Sequence, residues 1–194
     1  MPDISSICVY CGSSSSADER FLDAAGRLGR LIAEDGRSVV YGGGRLGLMG
    51  RVADGALRAG GKVVGIIPDH LHKVEVQHDE ITELLVVDSM HTRKAEMVRR
   101  SDGFCVLPGG IGTLDELIEI LSWRQLGLHG KPVVIVDQEG YFAPFRQLMK
   151  HIIDARFASP AIAEYVSYVS TVDDVLEALD EAYRSGIEVR LDKI

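Results

Sequence analysis

Residues 107–120, LPGGIGTLDELIEI, join a glycine-rich loop to an amphipathic stretch that carries Glu116, a carboxylate suited either to capping a helix or to breaking a bond. Gly109, Gly110 and Gly112 precede an amphipathic stretch that predicts a helix beginning at Thr113. The free backbone N–H groups and the dipole of such a helix favour a phosphate at its N-terminus. The loop lacks the Gly-Lys-[Ser/Thr] ending of a P-loop, so a monophosphate is predicted rather than a triphosphate.

Glu116 has two candidate roles in this stretch. Thr113 and Glu116 have the spacing of a capping box, in which each side chain binds a backbone N–H near the other residue. The alternative role is catalytic, because the carboxylate would lie one turn into a helix that holds a phosphate. The local pattern alone favours the cap, and Asp115 is interpreted as a solvent-facing residue that complements the helix dipole.

A second glycine-rich segment, YGGGRLGLMG, occupies residues 41–50. Gly43 and Gly44, with Gly42 before them, allow a phosphate or sugar to pass close to the main chain. A tight turn from a strand to a helix, with no ligand, explains the same glycines equally well. The segment is not the Gly-x-Gly-x-x-Gly fingerprint of a dinucleotide site, so a nicotinamide cofactor is not predicted.

The third segment with chemical potential is DSMHTRKAEMVRR, at residues 88–100. Arg93 and Lys94 lie near the start of its predicted helix, where the planar fork of an arginine could bind a phosphate or another ligand oxygen. A solvated basic face is the alternative, and it is the preferred interpretation for Arg99 and Arg100 near the end of the helix.

The elements that must position these segments alternate along the chain. Strand-like runs rich in Val, Ile and Leu are separated by helix-like stretches near residues 18–35, 47–60, 89–101, 113–127, 142–156 and 172–184. Such alternation predicts a Rossmann-like, doubly wound α/β fold, with a parallel sheet and helices on both faces. Ligands of this architecture bind outside the carboxyl ends of the strands, where the glycine-rich segments fall.

The length and composition predict a single domain over residues 1–194, with a polar tail at about 185–194 that is expected to be mobile. The net charge of −8 opposes binding to nucleic acid polymers or anionic membranes, so neither is predicted as a partner. The N-terminus has no signal-peptide pattern and no apolar run approaches about 20 residues, so a cytoplasmic protein is expected.

The cysteines and histidines do not predict a metal centre. Cys8, Cys11 and Cys105 are an odd number, which argues against a disulfide framework. Cys8 and Cys11 have the spacing of a redox or metal motif, but they lie in a strand-like run where residues three apart face opposite sides of the sheet. The histidines form no metal-binding motif, and no pattern calls for any cofactor.

The segments YGGGRLGLMG, SMHTRKAEM and PGGIGTLDE, taken together and in order, resemble the LOG (lonely guy) family of cytokinin riboside 5'-monophosphate phosphoribohydrolases, whose members are often labelled lysine decarboxylases. The resemblance runs from about residue 4 to about residue 180 and includes LSWRQLGLHGKP and ARFASP. It implies hydrolysis of the N-glycosidic bond of AMP or an N6-substituted AMP to the free base and ribose 5-phosphate. It also implies a homodimer or a higher homo-oligomer.

Matching to the family motifs implies that Arg93 and Glu116 are catalytic. Ser122 stands where relatives commonly have threonine, and Glu75 lies in a stretch that matches the family less closely. The candidate substrate-binding residues, from the motifs and the resemblance together, are Glu75, Arg93, Lys94, Gly43, Gly44, Met90, Gly109, Gly110, Ile111, Gly112, Thr113, Leu114, Asp115, Glu116 and Ser122.

The alternative function is that of a binding protein that holds a nucleotide or the molybdenum cofactor without cleaving it. Molybdenum-cofactor carriers share the Rossmann-like fold and the glycine-rich anion sites. The pair formed by Arg93 and Glu116 favours the enzyme, because a carrier has no need of it. A true lysine decarboxylase is not predicted, since no lysine lies in an identifiable pyridoxal phosphate site.

Overall fold

The computed structural model describes residues 4–72 and 77–186, so Glu75 and the end of the polar tail lie outside the described residues. The described strands are β1 (Ser6–Tyr10), β2 (Ser38–Tyr41), β3 (Val63–Pro68), β4 (Glu83–Val87), β5 (Gly103–Val106), β6 (Val133–Val136) and β7 (Ser167–Val169). The α-helices are α1 (Glu19–Glu34), α2 (Gly47–Arg58), α3 (Asp69–His72), α4 (Met90–Arg99), α5 (Ile111–Gln125), α6 (Ala143–Asp154) and α7 (Val175–Ser185). Short 3-10 helices cover Gln138–Gly140, Pro160–Tyr165 and Val172–Asp174.

The strands form one parallel sheet in the order β4-β3-β2-β1-β5-β6-β7. The register pairs Cys8 of β1 with Val40 of β2 on one side and with Phe104 of β5 on the other. The chain builds outwards in one direction from β1 to β4 and then in the other from β5 to β7. The change of direction lies between β1 and β5, which is where ligands bind in doubly wound sheets. The predicted fold class is confirmed.

The sheet is covered on both faces, as its apolar strands require. Buried side chains from α1, α2 and α7 pack on one face, and those from α4, α5 and α6 pack on the other. Cys11 belongs to the first layer and Cys8 to the second, so the two thiols do face opposite sides of the sheet. All three cysteines are free and buried.

Close contact between α1 and α2 sets the position of α2 beside the sheet. A Cβ atom on Gly29 would lie 2.0 Å from the carbonyl oxygen of Val52, and one on Gly55 would lie 2.1 Å from that of Gly26. The N-terminus of α2 is bound to the loop after β1, since the N–H of Leu48 donates to the carbonyl of Gly12 over 2.9 Å. These contacts bring the first turn of α2 to the carboxyl end of the sheet.

Within residues 4–72 and 77–186, no helix combines the length and the apolar character needed to cross a bilayer.

Candidate active site

A cavity of about 330 Å³ lies at the carboxyl end of the sheet, beside the switch point between β1 and β5. This volume is within the range of small-molecule sites. The loop after β1 and four helices contribute to its walls. The lining residues are Cys11, Ser13, Met49, Leu71, Met90, Arg93, Gly110, Ile111, Gly112, Thr113, Asp115 and Glu116.

Helix α5 points its N-terminus into this cavity and begins two residues earlier than predicted. Gly110 is the N-cap residue, with φ −88° and ψ −155°, and its carbonyl accepts from the N–H of Leu114 over 3.1 Å. The predicted capping box is therefore wrong, because Thr113 and Glu116 are both inside the helix. Glycine offers no side-chain cap, so the first-turn N–H groups remain for a ligand.

Thr113 has a packing role in place of the predicted capping role. Its side chain is buried, and a Cβ atom on Gly109 would lie only 2.1 Å from its Oγ1 atom. The glycine loop is also held from outside the helix, since the hydroxyl of Tyr141 donates to the carbonyl of Gly109 over 2.7 Å. The N–H of Gly12 donates to the carbonyl of Pro108 over 3.0 Å, which joins the loops that follow β1 and β5. Hydrogen bonds from Tyr141 and Gly12 thus hold the glycine loop in place.

Arg93 is a buried cation with few partners. Helix α4 places it in the first turn, after Ser89, whose hydroxyl accepts from the N–H of Thr92 over 3.1 Å. Arg93 is 6% exposed, its Nη2 lies 3.7 Å from Oε1 of Glu116, and its Nη1 lies 3.8 Å from the sulfur of Met90. Its Nε has no hydrogen-bond partner in the described parts of the chain. Several N–H donors are therefore available to ligand oxygens.

Glu116 lies opposite Arg93 and is 9% exposed. Burial raises the pKa of its carboxyl to about 7, and the nearby Asp115 and Glu119 carboxylates act in the same direction. The cations of Arg93 and Lys94 oppose this rise in the pKa. A carboxyl with a pKa near neutrality can accept a proton in one step and return it in the next.

Lys94 extends the charged cluster away from the cavity. Its ammonium lies 3.2 Å from the carboxylate of Asp115 and 3.1 Å from that of Glu119. Burial lowers the pKa of Lys94, but the hydrogen bonds to Glu119 and Asp115 outweigh burial and leave the pKa raised. Asp115 is thus half-exposed and ion-paired, and it connects α4 to α5 beside Glu116.

Comparisons with known proteins show the family to which this chain belongs. The family model described as "Possible lysine decarboxylase" matches residues 49–179. A probable cytokinin riboside 5'-monophosphate phosphoribohydrolase of rice, LOGL6, is 41% identical over 91% of this chain and 70% of its own length. The cytokinin riboside 5'-monophosphate phosphoribohydrolase LOG3 of Arabidopsis thaliana is 39% identical over 90% of this chain and 81% of its own length. The chain belongs to the LOG family.

Solved structures of molybdenum-cofactor proteins share the fold. The molybdenum-cofactor carrier protein of Chlamydomonas reinhardtii superposes with a TM-score of 0.70 at 23% identity, over 93% of this chain and 98% of the carrier. The molybdenum-cofactor binding protein of Rippkaea orientalis gives a TM-score of 0.70 at 24% identity, over 92% and 96%. At such identities the likeness concerns the fold alone.

The site residues that the LOG motifs predicted fall into two groups. The structure brings one group together around the cavity: Met90, Arg93, Gly110, Ile111, Gly112, Thr113, Asp115 and Glu116. Lys94 and Gly109 lie directly behind this group, and Leu114 packs against the apolar layer beneath α5.

The remaining predicted residues lie apart from the cavity walls. Gly43 and Gly44 are buried behind the site, where the carbonyl of Gly43 accepts from the N–H of His78 over 3.2 Å and Gly44 forms a β-bridge with Gln77. Ser122 is exposed, about 9 Å further along α5 than Glu116 by the helical rise. Glu75 lies outside the described residues.

Four lining residues were not among the predicted site residues: Cys11, Ser13, Met49 and Leu71. Cys11 and Ser13 follow β1, so the rule that sites lie at the carboxyl ends of strands could have identified them. Leu71 lies on the one-turn helix α3, which is too short for hydrophobic periodicity to reveal. No group of three or more His, Cys, Asp or Glu side chains in the described ranges could hold a metal ion.

Proposed function

We propose that this protein hydrolyses the N-glycosidic bond of a nucleoside 5'-monophosphate, AMP or an N6-substituted AMP, to give the free base and ribose 5-phosphate. The observation that carries the proposal is the buried pair of Arg93 and Glu116 beside the uncapped N-terminus of α5. The names of the LOG relatives, cytokinin riboside 5'-monophosphate phosphoribohydrolases, support the same substrate class.

The spacing along α5 suits a ribose 5-phosphate. A phosphate bound by the N–H groups near Gly112 would lie at the start of the helix. Glu116 is four residues further, or about 6 Å along the axis. The ribose ring can bridge that distance and bring its C1' atom to the carboxylate. Binding energy at the phosphate then holds the reacting carbon in position.

The reaction assigns complementary roles to the two buried residues. As the bond between C1' and the purine nitrogen breaks, the bonding electrons leave with the base and positive charge develops on the sugar. The Glu116 carboxylate stabilises that charge and accepts a proton from the water that attacks C1'. The departing base takes up a proton from solvent. Arg93 donates hydrogen bonds to ribose oxygens and keeps the carboxylate partly ionised at neutral pH.

The apolar wall of the cavity suits a purine. Met49, Leu71 and Met90 present thioether and alkyl groups to the space outside the pair of Arg93 and Glu116. Thioethers pack well on aromatic rings and adapt to irregular shapes. Both adenine and an adenine that carries an apolar N6 substituent fit this chemistry.

Incubation with AMP and, separately, with N6-isopentenyladenosine monophosphate tests the proposal, with chromatographic detection of the free base and of ribose 5-phosphate. Equal amounts of both products are expected, and Glu116→Gln should abolish their release. Glu177→Gln, an exposed site on α7, is the matched control and should retain activity. Binding of both nucleotides without release of either base would refute hydrolysis and favour the carrier.

We also infer that the protein is a homo-oligomer that assembles through α5. Ile111 is 83% exposed, Ile118 49% and Leu126 55%, and their spacing places them on one stripe of the helix. Ile111 also lines the cavity, so a second copy on this stripe would cover one edge of the site. Apolar residues grouped in this way mark an interaction surface more often than a solvated face.

A further inference from the structure

Gly42 lies directly after β2, where its Cα approaches the end of the Arg93 side chain. A Cβ atom at this position would be 2.1 Å from Nη2 of Arg93 and 3.2 Å from Cζ. It would also be 3.3 Å from the sulfur of Met49. The guanidinium therefore occupies the space that any other residue at position 42 would fill with its side chain.

The backbone of Gly42 does not itself require glycine. Its neighbour Gly43 has φ +81°, a conformation that other residues rarely adopt, but Gly42 is not among the residues with positive φ. An alanine could take up the backbone conformation of Gly42 without strain. The requirement for glycine at position 42 comes from the contact with Arg93.

We propose that Gly42 is a positioning residue for the active site, because the absence of its side chain lets the Arg93 guanidinium lie against the main chain within reach of Glu116. The catalytic consequence rests on the proposed function. Three groups surround the guanidinium: Gly42 bounds it on one side, the sulfur of Met90 lies near Nη1, and Glu116 lies near Nη2.

A methyl group at position 42 would displace the Arg93 side chain and leave the backbone in place. The atom in closest conflict is at the end of a long flexible side chain, whereas a Cβ on Gly29 would meet the carbonyl oxygen of Val52. An ordinary contact of about 3.5 Å requires the guanidinium to move by more than about 1 Å. The distance of 3.7 Å between Nη2 and Glu116 would then no longer be held.

Displacement of the guanidinium changes the charge balance around Glu116. The charged groups that act on this carboxyl are Arg93 and Lys94 from α4 and Asp115 and Glu119 from α5. The Glu116 carboxylate in turn raises the pKa of Cys8 and Tyr10 on β1 and of Cys11 just after it. Arg93 is first among the groups that lower the pKa of Glu116. When the Arg93 guanidinium moves away, the rise in pKa caused by burial and by the neighbouring carboxylates is counteracted less, so the pKa of Glu116 should rise further.

Gly42→Ala in the full-length protein tests the proposal by two measurements. Carboxyl carbon NMR of the ligand-free protein, labelled at glutamate, should show the pKa of Glu116 raised above that of the wild type. At pH 7, kcat/KM should fall by about 10- to 100-fold, the range expected when a charged hydrogen bond is lost. Gly130→Ala is the matched control, because a Cβ there meets no atom within 4 Å. It should reproduce the wild-type pKa and kcat/KM.

The substitution Arg93→Met separates positioning from a general loss of structure. In that background the guanidinium is gone, so Gly42→Ala should change neither the pKa of Glu116 nor the residual activity. The proposal would be overturned if Glu116 kept its wild-type pKa in Gly42→Ala. It would also be overturned if Gly42→Ala reduced kcat/KM by the same factor in the wild-type and the Arg93→Met backgrounds. If the wild type releases no base from either nucleotide, the proposed function fails, while the NMR titration still decides whether Gly42 positions Arg93.

Discussion

Replacing Glu116 with glutamine removes a buried proton-binding group while preserving its size. Burial raises the pKa of the Glu116 carboxyl from its ordinary 4.5 to about 7. Between these values the folded protein holds a proton that the unfolded chain has already released, so stability falls as the pH rises. The favourable contribution of the protonated carboxyl is complete below about pH 4.5 and is lost as the pH passes through 7. The full difference is about 3 kcal/mol.

Glutamine does not ionise, so the stability of Glu116→Gln should not fall through this group as the pH rises. Relative to the wild type, its free energy of unfolding should improve by about 3 kcal/mol between pH 4.5 and pH 8.5. For a chain of this size each kcal/mol corresponds to roughly 2–4 °C in Tm. Arg93 keeps an uncharged neighbour at low pH in both proteins, so the comparison isolates ionisation of the carboxyl.

Urea denaturation of both proteins at four or five pH values across this range measures the effect. Ser122→Ala, an exposed change on the same helix without an ionisable group, is the control and should follow the wild type at every pH. Carboxylates that are remote from Glu116 contribute equally in both proteins and cancel. A difference between wild type and Glu116→Gln that does not vary with pH would refute the reasoning, and retained turnover by Glu116→Gln would refute the catalytic role.

Two further predictions concern packing and assembly. Gly29→Ala should destabilise the protein by about 1–3 kcal/mol, because its Cβ would lie 2.0 Å from the backbone of Val52. Gly26→Ala on the same helix, with 3.6 Å to its nearest neighbour, should be neutral or stabilising by up to about 1 kcal/mol. Urea denaturation measures both changes, and equal effects of the two substitutions would contradict the packing argument. Ile118→Asp should reduce the molecular mass of the oligomer measured by light scattering. Tyr183→Asp, at a site of similar exposure on α7, should leave that mass unchanged. An unaltered mass for Ile118→Asp would place the interface elsewhere.

The main elements of the fold could be predicted because each has its own periodicity. The buried strands are short runs of branched apolar residues, and the helices between them are amphipathic. The order of strands could not be read in this way, since parallel neighbours are chosen by packing between distant segments. Helix α3 has only four residues, Asp69–His72, and leaves no periodic signal.

The start of α5 shows why a correct local pattern can mislead. Thr113 and Glu116 have capping-box spacing, but the carbonyl that accepts the first helical bond is that of Gly110. The glycine loop reaches α5 under constraints from Pro108 and Tyr141, which bind the loops around it. The residues that make those contacts are distant in sequence, so Thr113 and Glu116 carried no information about them.

The wrong capping box strengthens the catalytic interpretation of Glu116. A cap would satisfy the carboxylate with backbone N–H groups and hold its pKa low. In the described residues Glu116 has instead an ion pair at 3.7 Å, longer than a hydrogen bond, and its partner Arg93 has an Nε without an acceptor. Two opposite charges that are buried together and left short of hydrogen bonds reduce stability unless a third group completes them. In the proposed function a ribose, with hydroxyl groups that both donate and accept, is the partner of both residues, and the pH dependence of Glu116→Gln measures the free-energy cost of ionising Glu116 in this buried pair.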